Sequence, residues 1–132
     1  MPDNNPEENQ KIKIVLAEDD KFISRAYQDG LQRAGFTITT AYDGNEAVAK
    51  IKEVKPDLIL LDIIMPEKNG FEVIEEIKQD AALSAIPIII LSNLGQDSDI
   101  QKGRALGAND YLIKSNLSMS EVIEKIKMYL KK

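Results

Sequence analysis

The sequence predicts an α/β domain: a doubly wound parallel sheet of five strands with helices on both faces. Three observations carry that expectation. Short apolar runs alternate with segments of helical spacing, strand then helix, five times over, the pattern of a parallel sheet with crossover helices. The third and fourth runs, residues 57–62 and 88–92, are apolar almost throughout, as strands are when helices cover both faces. Polar residues able to do chemistry stand at the carboxyl ends of the runs: Glu18 and Asp19, Asp62, Ser92 and Lys114. Open sheets of this kind bind ligands beyond those ends, where the strand order reverses.

Each element has its own signal. Residues 12–17, with Ile12, Ile14, Val15 and Leu16, predict the first strand. Phe22 or Ile23, then Ala26, Tyr27, Gly30, Leu31 and Ala34 follow helical spacing, and Gly35 marks the stop. Residues 36–41, short and rich in Thr and Ile, predict the second strand. Asp43 or Gly44 opens a helix with Ala47, Val48, Ile51 and Val54 on one face, and Pro56 ends it. Residues 57–62 form the third strand. Asn69 starts a helix with Phe71, Ile74 and Ile77 inward, and Pro87 opens the fourth strand. Residues 97–106 predict a weaker helix, polar and interrupted by Gly103. Residues 110–114 give a short fifth strand. Ser118 then caps a last helix with Val122, Ile123, Ile126, Tyr129 and Leu130 on one face. Residues 1–10, polar and bearing Pro2 and Pro6, read as a disordered leader, with one domain expected over 11–132.

Composition narrows the function. A chain of 132 residues suits one domain with a real core. The net charge is -5 and no basic patch interleaved with aromatics is present, which speaks against direct nucleic-acid binding. Cysteine and histidine are both absent. Disulfides, thiol catalysis, a Ser-His-Asp triad and a histidine-bound zinc are therefore excluded. No apolar run approaches a membrane span, and the first residues lack the basic start and apolar core of a signal peptide. The cytoplasm is the expected location.

Two apolar runs end in acids, one in Glu18-Asp19-Asp20 and one in Asp62. If those ends converge, three or four carboxylates meet, and like charges a few Å apart disfavour ionisation. A hard divalent cation with oxygen ligands is the usual remedy. Phosphoryl transfer needs such charge neutralisation together with positioning. A cation held by Asp19 and Asp62, with Glu18 direct or through water, could bridge to a phosphoryl oxygen. Lys114 could hold a second oxygen as a point charge, and Ser92 could donate to a third. Asp62 is then a carboxylate nucleophile that forms an aspartyl phosphate. Plainer roles stand beside these. The acidic triplet can be a helix N-cap cluster, Asp20 most of all. Ser92 alone is a loop hydroxyl, Lys114 a solvated lysine and Tyr111 a half-buried strand aromatic. Asp110 reads as a turn residue, and Lys125, Lys127, Lys131 and Lys132 as a solvated face.

The motifs together resemble the receiver domain of response regulators, the CheY-like family of two-component signalling. They lie at residues 14–20, at 62–66 with Gly70, at 87–92 and at 105–114, and the resemblance covers residues 11–131. It implies a flavodoxin-like sheet in the order 2-1-3-4-5, of which such domains are themselves a standard instance. It implies that Asp62 is the phosphoacceptor, and that Asp19, Asp62 and the backbone carbonyl of Ile64, with Glu18, hold Mg²⁺ (Mn²⁺ as a substitute). Ser92 is the switch hydroxyl, Tyr111 the aromatic that follows it, and Lys114 the partner of a phosphoryl oxygen. The implied donor is a sensor histidine kinase or a histidine phosphotransfer protein. The output is an unidentified protein target met by the fourth helix, fifth strand and fifth helix, from a monomer or a weak dimer through that face. No nucleic acid, membrane or enzymatic turnover beyond the domain's own phosphorylation and dephosphorylation is implied.

Two departures from the family pattern stand out. Ser115 follows Lys114 where proline is usual, and a cis bond before a non-proline residue costs about 3 kcal/mol, so none is expected. Ile64 and Leu94 take the two positions bordering the phosphoryl pocket, and neither can orient an attacking water, which predicts a slowly hydrolysing aspartyl phosphate. Three other functions are less well served. A pseudo-receiver scaffold does not need the complete site. A phosphatase lacks the second acid that Ile64 replaces. Flavin binding needs a phosphate-cradling loop where Glu18-Asp19-Asp20 would repel phosphate.

Overall fold

In the computed structural model, which describes residues 12–130, strands and helices alternate throughout. They are β1 (Lys13–Ala17), α1 (Lys21–Arg33), β2 (Thr37–Ala41), α2 (Gly44–Val54), β3 (Leu58–Leu61), α3 (Gly70–Lys78), β4 (Ile88–Ser92), α4 (Asp97–Leu106), β5 (Asp110–Ile113) and α5 (Met119–Leu130), with a 3-10 turn at Lys114–Asn116. The expected leader and Lys131 and Lys132 lie outside the described residues. All pairings are parallel, in the order β2-β1-β3-β4-β5. The chain runs from β1 outward to β2 and then returns across β1 to β3. This reversal sets the carboxyl ends of β1 and β3 side by side, with Ala17 opposite Leu61.

The period of two along each strand divides the core into two layers. Val15, Ile59, Leu61, Ile88 and Ile90 face Val48, Ile51, Ile74 and Ile77. Ile14, Leu16, Leu58, Leu60, Ile89 and Leu91 face Leu31, Val122 and Ile126. Each fully buried Leu or Ile stabilises the fold by roughly 1.5–3 kcal/mol, and the central strands supply most of them. That is why β3 and β4 can hold polar groups rigidly at their ends.

The element bounds depart from the expected ones in small, explicable ways. Asp57 precedes β3 and its carboxylate accepts a hydrogen bond from the Lys13 amide at 2.8 Å, tying two strand starts together. Lys114 leaves the sheet and opens the 3-10 turn. Phe22 points outward and is 90% exposed, whereas Ile23 is partly buried. The cap fixes that phase: Asp20 accepts from the amides of Phe22 and Ile23 and sets Ser24 and Leu31 inward. Ile123 packs at the edge of the core, behind Val122 and Ile126. Asn69 and Glu72 form a capping box at α3, and Ser118 and Glu121 bond reciprocally at the start of α5. Gly103 does not interrupt α4.

Candidate functional site

The site is built outward from two locked backbones. The Glu18 amide donates to the Ala41 carbonyl and the Asp62 amide to the Ala17 carbonyl, each at 3.0 Å. The backbone from which these side chains leave the sheet is thereby held in place. Glu18 is 3% and Asp62 7% exposed, while Asp19 faces solvent. One carboxylate oxygen from each of the three lies within 4.8 Å of the others. Asp62 Oδ1 accepts from the Ile63 amide at 2.7 Å, and Asp62 Oδ2 accepts from Lys114 Nζ at 2.7 Å. Lys114 Nζ also donates to Glu18 Oε1, and Glu18 Oε2 accepts from the Asp20 amide at 3.0 Å.

One ammonium thus serves two buried carboxylates, with a third acid at the mouth. Burial raises the pKa of Glu18, and the charge of Asp62 adds to that, against the hydrogen bonds from Lys114 and the Asp20 amide. Burial works against the Lys114 charge, but its hydrogen bonds to Asp62 and Glu18 prevail and its pKa is raised. The cluster carries an excess of negative charge, and its donors are hard carboxylate oxygens. That donor set fits Mg²⁺, which takes oxygen ligands and one or two carboxylates while keeping several waters. The acids that could hold it are Glu18, Asp19 and Asp62.

Glu18, Asp19, Asp62, Ser92 and Lys114 line one cleft of about 340 Å³, which Ile64 and Leu94 also border. Ile64 is 61% exposed. Ser92 is buried at the end of β4, and its Oγ accepts from the Leu94 amide at 3.2 Å. Tyr111 stands one layer back. Its ring is buried and its hydroxyl donates to the Leu94 carbonyl. Burial, then the charges of Asp99 and Asp62, push its phenol up to about 12.

Other sequence expectations meet mixed outcomes. Asp20 is the N-cap of α1, although it also borders the cleft. Asp110 is not a turn residue: it opens β5 in the interior and accepts from the Tyr129 hydroxyl at 2.9 Å, with Arg104 at 3.7 Å and Lys125 at 4.0 Å. Lys125 therefore faces a carboxylate as well as solvent, while Lys127 is exposed. No peptide bond among the described residues is cis. Asn93 takes a part the sequence did not suggest. Its Oδ1 accepts from the Ser115 amide at 3.0 Å and so holds the turn that presents Lys114. The only signal was an amide side chain directly after Ser92.

Comparison with known proteins gives this arrangement a context. The response regulator receiver domain model matches residues 14–127. Protein PilG of Pseudomonas aeruginosa is 33% identical over 87 residues, 66% of this chain and 64% of that protein. The alkaline phosphatase synthesis transcriptional regulatory protein PhoP of Bacillus subtilis is 36% identical over 87 residues, but the chain spans only 35% of its length. The chemotaxis protein CheY4 of Vibrio cholerae superposes with a TM-score of 0.83 at 29% identity, over 89% of this chain and 98% of that one. The receiver domain of the Francisella response regulator 1452 does so with 0.84 at 30% identity, over 92% and 98%. Sheet order, acidic cleft and sequence agree, and the chain belongs to the response regulator receiver domain family.

Proposed function

We propose that this chain acts as a response-regulator receiver with Asp62 as its phosphoacceptor. The observation that carries the reading is the position of the Asp62 carboxylate. It is fixed at a strand end and ion-paired to Lys114 at 2.7 Å, in a cleft shared with Glu18, Asp19 and Ser92. The donor is a phosphohistidine on a sensor histidine kinase or a histidine phosphotransfer protein. An Asp62 carboxylate oxygen attacks phosphorus, the phosphorus–nitrogen bond breaks, and the imidazole leaves with its electron pair and takes up a proton. Asp62, Asp19 and the Ile64 carbonyl, with Glu18, would hold Mg²⁺. When bound, the ion neutralises charge on the transferring oxygens. Lys114 moves from its carboxylate partners toward a phosphoryl oxygen as the charge on Asp62 passes outward. The Ser92 hydroxyl turns to donate to another oxygen, and Tyr111 follows it. The face made by α4, β5 and α5 then changes its affinity for a protein target. The chain acts as a monomer or as a weak dimer through that face, without nucleic acid. The cytoplasm is the proposed location; no described helix is long and apolar enough to cross a membrane.

Ile64 and Leu94 border the cleft as apolar side chains and offer an attacking water no hydrogen-bond partner. The aspartyl phosphate therefore persists for minutes or longer. The function is tested by intact mass after incubation with acetyl phosphate and Mg²⁺. One phosphoryl group is gained by the parent chain and none by Asp62→Asn or by the parent in EDTA. No gain with any donor would turn the reading to a scaffold. Decay of the radiolabelled aspartyl phosphate tests the lifetime, and a half-life of a few seconds overturns it.

A further inference from the structure

The turn that carries Lys114 is tied to the loop that follows Ser92. Ser92 and Ile113 stand opposite each other at the ends of β4 and β5. Beyond that pair the side chain of Asn93 crosses between the two strands, its Oδ1 accepting from the Ser115 amide at 3.0 Å. The turn's own closing bond, from the Leu117 amide to the Lys114 carbonyl, is longer, at 3.4 Å. Asn93 and Ser115 are exposed, whereas the Lys114 side chain is only 11% exposed and its Nζ donates to Asp62 Oδ2 at 2.7 Å and to Glu18 Oε1.

The Asn93 bond exists because of what stands at position 115. A proline there would fix φ but have no amide hydrogen to give. Ser115 leaves φ free and brings a donor. An asparagine side chain is a carbonyl on a short arm, and it completes a turn as a backbone carbonyl would. Lysine, by contrast, carries its charge on a flexible four-carbon stem. To bring one ammonium to two carboxylates, the backbone at its base must be held.

We propose that Asn93 is a positioning residue for Lys114: its side-chain carbonyl holds the Ser115 amide and so fixes the backbone from which the ammonium reaches Asp62 and Glu18. The pair of Asn93 and Ser115 does by a hydrogen bond what a proline ring does by covalent geometry. The consequence for phosphoryl uptake rests on the function proposed above. Lys114 and Ser92, which there meet the phosphoryl oxygens, share one support, because Asn93 directly follows Ser92 and also borders the cleft.

The test reads Lys114 directly, by NMR of the ammonium groups in the full chain labelled on its lysine nitrogens. In the parent, the shielded Lys114 ammonium gives a signal protected from exchange with water and set apart from those of exposed lysines. Asn93→Leu keeps the bulk and removes the acceptor. Its Lys114 signal should be lost to exchange or move to the position of the exposed lysines. Its phosphoryl uptake from acetyl phosphate with Mg²⁺ should slow about fivefold, the equivalent of one ordinary hydrogen bond. Asn93→Asp keeps an accepting oxygen and should hold both readings close to those of the parent. A Lys114 signal unchanged in Asn93→Leu, with only the urea midpoint lowered, marks a merely structural bond and overturns the proposal. An Asn93→Asp chain that behaves as Asn93→Leu does so too, since the part would then belong to the donors of the amide. Should Asn93→Leu fail to fold, Asn93→Ala at the same exposed position is read in its place. The ammonium signal needs no phosphoryl donor, which separates the two claims. A parent chain that takes up no phosphoryl group rejects the receiver function, and the signal alone then decides on Asn93.

Discussion

Lys114 holds two carboxylates at once, and its removal exposes what it does. Its side chain is 11% exposed, with Glu18 at 4% and Asp62 at 8%. In Lys114→Met the two buried acids would face each other with no counter-charge. Breaking a buried pair from one side costs about 3 kcal/mol, and Glu18, with a pKa already raised by burial, is the acid that would take up the proton. Urea unfolding in EDTA should show that loss, and Mg²⁺ should restore part of it by binding the folded state alone. A variant as stable as the parent in EDTA would show that the ion pair adds nothing. Asp62, Glu18, Asp19, Ser92 and Lys114 were legible in the sequence because each ends or follows an apolar run. The Leu94 carbonyl and Asn93 were not. The first is a backbone atom whose partner is 17 residues away, and the second bonds a backbone amide 22 residues away. Side-chain patterns carry no record of either.

At the scale of elements, close approach of backbones sets the geometry around Asp62. The Gly44 amide donates to the Pro66 carbonyl at 3.2 Å, so the first turn of α2 rests on the loop that follows Asp62. A Cβ at Gly44 would meet the Lys68 carbonyl oxygen at 1.8 Å and its carbon at 2.5 Å. Those are backbone atoms and cannot swing aside. Gly44→Ala should therefore cost about 3 kcal/mol, the upper end for overpacking, and should slow phosphoryl uptake by moving the loop that carries Ile64. Gly30 is the contrast. The atoms nearest its added Cβ belong to the flexible side chain of Met119, at 2.8 Å. Gly30→Ala should come out within about 1 kcal/mol of the parent, since helix propensity gained offsets the contact. Urea midpoints of the two variants check this, and equal losses would refute the distinction. The sequence left Asp43 or Gly44 to open α2 and gave no reason for the glycine, because Lys68 approaches it only in the fold. It also left Phe22 and Ile23 as equal candidates for the inner face of α1. Periodicity alone tolerates a shift of one residue, and the Asp20 cap settles the phase.

For the whole molecule, the alternation of runs sufficed to predict a parallel, two-faced sheet, but not which strands are neighbours. β1 pairs on both sides, with β2 and with β3. Nothing in the pattern of a single strand encodes that, and the order came from family resemblance. The two-layer core also sets the response of the molecule to alkali. Tyr27, Tyr111 and Tyr129 lie in or against the packed layers, and burial is the leading cause that raises each phenol above the ordinary value of 10.0. The acidic form of a phenol is neutral, so the fold favours the protonated state. Between pH 10 and about 12, the raised value for Tyr111, the unfolded chain has given up a proton that the folded chain keeps. The folded state binds more protons there, and stability must fall as pH rises. Tyr111 contributes this stability in full below pH 10, and it is lost as pH rises through about 12. Lys114, whose pKa is also raised, loses its charge in the same direction. Urea midpoints measured across that window should fall in the parent chain. In Tyr111→Phe, which has no phenol at that seat to ionise, they should fall less steeply. Equal slopes would place the ring of Tyr111 in solvent in the working protein, contrary to its burial against α4.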